Sequence, residues 1–191
     1  MTVLQATTFC VTGLALFFLP GLMVLRARRL TLHWADTGVF AFAISYSLLL
    51  VAAIVLPLFE LSVDTLPLVL GAATFGLRRA LRQSAQPVRE RRRPDAVETI
   101  VVVAILGLTV AAWVIEPALG GEETLDLGAA MRFADGASVT FRNTSLFPDT
   151  PAVYIVQPYQ LALGAVARWS HLDVVVVLTK IRALLMLTCG V

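Results

Sequence analysis

Histidine and cysteine are scarce in this chain of 191 residues, with two of each. His33 and His171 lie far apart, so no metal-ligand spacing is formed and no metal site is expected. Cys10 and Cys189 both sit in apolar runs. They read as small buried hydrophobes and say nothing of redox compartment. Charge is scarce as well, at 15% of residues, and the net charge of +2 is too small to point to nucleic acid. There is no phosphate-cradling Gly-rich loop of the Walker or dinucleotide type and no Gly-x-Ser-x-Gly elbow. No internal repeat stands out. No cofactor is implied.

What the chain has in excess is apolar sequence. Hydrophobic residues make up 58% against about 45–50% in soluble domains, and the mean hydropathy is +0.83. Val3 to Leu25 is nearly uncharged and is followed by Arg26, Arg28 and Arg29. About 20 apolar residues cross a bilayer, so this run is a candidate first span. Its positive charge follows the apolar core, where a cleaved signal peptide carries it in front, so a retained anchor is expected. Pro20-Gly21 predicts a kink or an early helix stop. Val39 to Phe59 is the second candidate span and Leu61 to Leu77 a shorter third, with Asp64 and Pro67 near its start. Ile100 to Ile115 is the fourth.

The arginines fix an orientation. Arg26 to Arg29 and the run Arg78, Arg79, Arg82, Arg89, Arg91, Arg92 and Arg93 both lie inside if the N-terminus is outside. The Glu60–Asp64 turn and everything from Glu116 to about His171 then face outward. The chain is organised around one stretch of that outer segment, Trp113 to Gly136. There a hydrophobic run gives way to an acidic cluster of Glu122, Glu123 and Asp126. Leu127, Ala130, Met131 and Ala134 follow at one-face helical spacing, and Gly136 is a helix stop. This predicts a surface helix, apolar side down. Tyr159 to Trp169 predicts a second. Asn143-Thr144-Ser145 matches a glycosylation acceptor, a triplet common by chance. Asp173 to Val191 is a last apolar run holding Lys180 and Arg182. A cation there marks a site or snorkels to an interface.

The expected fold class is therefore all-α: a polytopic transmembrane bundle with amphipathic surface helices in an extracytoplasmic loop. Residues 1–96 hold three spans and the basic loop, and residues 97–191 a second unit. The chain is expected to be the N-terminal part of a longer membrane protein. Its location is a cell (inner) membrane, multi-pass, N-terminus outside. In chemical terms the outer segment offers carboxylates able to act as general base, cations able to hold a phosphate, and the aromatic faces of Tyr154 and Tyr159.

From Val97 onward the order of features resembles the start of the GT-C glycosyltransferases, in the branch of protein O-mannosyltransferases and aminoarabinose transferases. Those enzymes have a span, then an outer loop with an Asp-Glu pair, a following Tyr, an Ala and a Gly. Glu122-Glu123 stands at the pair, with Ala130 and Gly136 after it. Gln157-Pro158-Tyr159-Gln160-Leu161 resembles their Pro- and Tyr-rich stretch, and Lys180-Ile181-Arg182-Ala183-Leu184-Leu185 their Arg-Leu helix start. The chain departs from the pattern in having Glu for the first acid and Asp126 for the tyrosine. The resemblance implies sugar transfer from a polyprenyl-phosphate donor. Glu122 would be the base, with Glu123 or Asp126 as substitutes. Lys180 and Arg182 would hold the donor phosphate, and Tyr154 and Tyr159 would line the substrate. The alternatives are a transporter or channel subunit using Asp64, Lys180 and Arg182, and a non-catalytic membrane assembly protein.

Overall fold

The computed structural model describes residues 1–27, 34–82, 121–140 and 156–189. They are mostly helical. The helices are α1 (Val3–Phe17), α2 (Leu19–Ala27), α3 (Trp34–Leu58), α4 (Leu66–Arg82), α5 (Gly121–Ala134), α6 (Pro158–Ser170) and α7 (Val174–Cys189). A single 3-10 turn, Val63–Thr65, precedes α4. Among the described residues there is no strand, only an isolated bridge between Ser62 and Ser138.

The first apolar run forms one bent rod. A capping box starts it: the Thr2 hydroxyl accepts from the Gln5 N–H, and the Gln5 side chain accepts from the Thr2 N–H. The rod breaks at Phe18, leaving α1 and α2 at 44°. This is the bend expected of Pro20-Gly21. Pro20 has no N–H to give back to the preceding turn. The Gly21 N–H, also without its α1 carbonyl, donates to the buried Ser45 hydroxyl at 2.8 Å. A Cβ on Gly21 would lie 1.9 Å from the Ala41 carbonyl oxygen, so only glycine lets α2 and α3 approach this closely. Phe17, Phe18, Phe42 and Tyr46 stack beside the break, with ring centroids 5.8–6.0 Å apart.

α3 contains Asp36–Leu58, which is long and apolar enough to cross a membrane, with a mean hydropathy of 2.6. The count of such spans rises to three if the α1–α2 pair and the α6–α7 pair, bent by 108°, each serve as one. Val39, Phe40, Leu50, Val51 and Ile54 on α3 and Phe75 on α4 are exposed. The expected fourth span, Ile100 to Ile115, lies outside the described residues.

Two expectations are corrected by the helices that follow. The third apolar run is helical over Leu66–Arg82, not Leu61–Leu77. Its first residues are consumed by the turn closing α3, and it continues into the arginines, which are good helix formers. The larger correction concerns Tyr159 to Trp169, expected as a surface helix. α6 is instead the buried centre of the molecule. Leu161, Ala162, Leu163, Ala165 and Val166 are wholly inaccessible, and α6 packs against α5, α1, α3 and α7. Small residues permit this. A Cβ on Gly164 would sit 2.5 Å from the Phe133 side chain and 2.8 Å from the Ala130 carbonyl oxygen, so α5 lies almost backbone to backbone on α6.

Candidate functional site

Three helices end at the same place, and each ends the same way. α3 closes on Glu60 (φ 51), α5 on Gly136 (φ 82) and α6 on His171 (φ 53), all left-handed. In each, the next residue reaches back five positions: Leu61 N–H to Leu56 carbonyl at 2.9 Å, Ala137 to Arg132 at 3.1 Å, and Leu172 to Ala167 at 3.1 Å. These are Schellman closures. The three ends are tied together. Val139 N–H donates to the Leu61 carbonyl at 2.9 Å, beside the Ser62–Ser138 bridge.

Three helix C-termini bring three negative dipole ends to one spot. Arg168, in the last turn of α6, is the cation that answers them. Its Nε and Nη2 donate to the two Asp64 oxygens at 2.6 and 2.7 Å, and its Nη1 donates to the Ala134 carbonyl at the end of α5 at 3.1 Å. One planar fork thus joins the α3–α4 turn, α5 and α6. Gly136 is required beside it: a Cβ would fall 2.5 Å from Arg168 Nη1. The Arg168 hydrogen bond holds the Asp64 carboxyl below its ordinary 3.8. Partial burial opposes this, while the guanidinium charge and the Trp169 indole N–H reinforce it. Both side chains remain partly exposed, at 32% and 49%.

The expected acids fall on α5, whose helix begins at Gly121 and so carries Glu122, Glu123 and Asp126 in its first turns. Lys180 and Arg182 fall on α7, Lys180 half-buried and Arg182 exposed. α5 packs against α7 as well as α6, which brings the acidic and the cationic helix into one unit. Tyr159, in the first turn of α6, packs half-buried against the core. Tyr154 and Asn143 lie outside the described residues. The face assigned to α5 needs one change. Leu127 and Ala130 are buried as expected, but Met131 is 42% exposed and Phe133, at 6%, takes its place, because the contact with α6 runs through Ala130, Phe133 and Ala134.

Arg168 was missed in the sequence, although it left a signal. It is a lone cation closing an apolar run, and Asp64 shares with Glu60 the hairpin turn between two apolar runs. Two such charges in apolar surroundings are best explained by each other. Among the described residues no three His, Cys, Asp or Glu side chains converge as metal ligands. No family model, no curated protein and no solved structure matches this chain.

Proposed function

We propose that the chain belongs to a membrane glycosyltransferase that moves a sugar from a polyprenyl-phosphate donor to an acceptor. Transfer would occur on the extracytoplasmic face. The observation that supports this best is the packing of α5 on α7. One helix carries Glu122, Glu123 and Asp126, the other Lys180 and Arg182. A carboxylate and a phosphate-binding cation on adjacent helices are the two groups that inverting transfer from a phosphate leaving group requires.

In this reading Glu122 takes the proton from the acceptor hydroxyl, with Glu123 or Asp126 as its substitute. Arg182 and Lys180 balance the charge that develops on the departing phosphate. Tyr159 and Tyr154 supply faces for the sugar. The Arg168–Asp64 fork keeps α5 and α6 in register, so it positions the acids without touching substrate. That duty for Asp64, in a partly exposed ion pair at the end of the bundle, also favours an enzyme over a transport path running through Asp64.

The test is transfer from a radiolabelled polyprenyl-phosphate sugar in membranes containing the full-length protein. Glu122→Gln and Arg182→Ala should each lower the rate by about 10²–10⁴-fold while membrane insertion is unchanged. Full transfer by both variants would reject the assignment.

A further inference from the structure

Polar atoms also lie buried on α4, away from Arg168. A groove of about 420 Å³ runs between α1–α2 and α4. Its walls are apolar, with Leu16, Met23, Leu70 and Phe75 among them; Arg78 and Trp169 also line it. From Pro67 to Arg78 the α4 backbone rises about 16 Å. That is about half of a hydrocarbon core roughly 30 Å thick, enough to lay down one acyl chain. Gly71 opens onto the groove, and a Cβ there would meet nothing within 4 Å.

Two lining residues have buried polar atoms that find no hydrogen-bond partner among the described residues, Thr74 Oγ1 and Arg78 Nε. Thr74 is 3% exposed. The contrast within the molecule is informative. Thr7, Thr8 and Thr12 donate to carbonyls one turn back at 2.8–2.9 Å, the usual way to settle a hydroxyl in an apolar helix. Thr74 does not. Thr74 and Arg78 are four residues apart on one helix face, so their backbones are about 6 Å apart along the axis.

We propose that this groove holds one acyl chain of an anionic diacyl glycerophospholipid, with its phosphate on Arg78 and its ester carbonyl accepting from Thr74. The order phosphate, ester, hydrocarbon along the lipid matches the order Arg78, Thr74, Gly71, Pro67 along α4. A χ1 rotation of Thr74 turns its hydroxyl into the groove. The lipid comes from the leaflet on the arginine side, where anionic headgroups and basic residues attract each other. A polyprenyl phosphate offers a phosphate but no ester carbonyl, and an arginine that merely snorkels requires no diacyl lipid. The proposal rests on the chain lying in a bilayer, and not on its being a transferase.

Native mass spectrometry of the full chain in mild detergent tests it, with four added probes: phosphatidylglycerol, its diether analogue, phosphatidylcholine and undecaprenyl phosphate. The expected result is a one-to-one adduct with phosphatidylglycerol, weakened about tenfold by Arg78→Gln and abolished by Gly71→Trp, which fills the groove. Gly71→Ala, which touches nothing, should keep both the adduct and the helical circular dichroism. The diether analogue should bind about threefold more weakly to the native chain and no more weakly to Thr74→Val. Equal binding by the native chain, Arg78→Gln and Gly71→Trp would overturn the proposal, as would preference for undecaprenyl phosphate or for phosphatidylcholine. Recovery of the chain from cells without detergent would instead overturn the bilayer reading itself.

Discussion

Arg168 and Gly136 form a pair in which each explains the other. The guanidinium fills the space a side chain at 136 would need, and Gly136 takes the left-handed backbone that ends α5 where the Ala134 carbonyl accepts from Arg168. Gly136→Ala should therefore destabilise the protein by about 1–2 kcal/mol from backbone strain alone, with the clash added. The check is the thermal unfolding midpoint in detergent. Glu60 tests the converse, since it adopts φ 51 with a side chain in place. Glu60→Gly should raise stability by about 1 kcal/mol. The Asp64 carboxyl has its pKa lowered in the folded protein, so its ion pair stabilises above the ordinary carboxylate pKa. That contribution fades as pH falls below about 3.8 toward the lowered folded value. The difference in unfolding midpoint between the native chain and Asp64→Asn should be present at pH 7 and shrink as the medium is acidified below pH 4. A difference that stays constant with pH would remove the pair from the account of stability.

At the scale of elements, what was visible in the sequence was hydrophobicity, and what was hidden was depth of burial. The bend at Pro20-Gly21 was readable because proline's missing N–H acts locally. The partner that makes the bend tolerable, Ser45, lies 24 residues away and gives no local signal. Ser45→Ala should strand the Gly21 N–H and cost about 0.6–2 kcal/mol, measured by the same unfolding midpoint. α6 shows the reverse case. Tyr159 to Trp169 reads as an amphipathic helix, with the small residues of its Leu161–Ala167 stretch among the larger apolar ones. Those small residues are instead what lets α5 lie on it at Gly164. A one-face pattern and a buried small-residue contact look alike along the chain, and only the neighbouring helix tells them apart.

For the molecule as a whole, the turns expected on one side of the membrane lie together in the fold. The Glu60–Asp64 turn, the Gly136 turn and the end of α6, all assigned to one side of the membrane, do meet, while Arg26 lies in the last turn of α2 and Arg78 in the second half of α4. The charge run and the hairpin spacing carried that much. The number of spans was not legible in the same way. Apolar length marks α3 alone, and the bent pairs depend on a break and a turn whose angles the composition does not set. The central claim is that a bilayer surrounds this bundle with the Asp64 end outside. Its most direct test replaces Cys10 and Cys189 with serine, adds a single cysteine as Glu60→Cys, Ser138→Cys or Ala80→Cys, and labels intact cells with an impermeant maleimide. Glu60→Cys and Ser138→Cys should react at once, and Ala80→Cys only after the membrane is opened. Labelling of Ala80→Cys in intact cells while Ser138→Cys stays protected would contradict it.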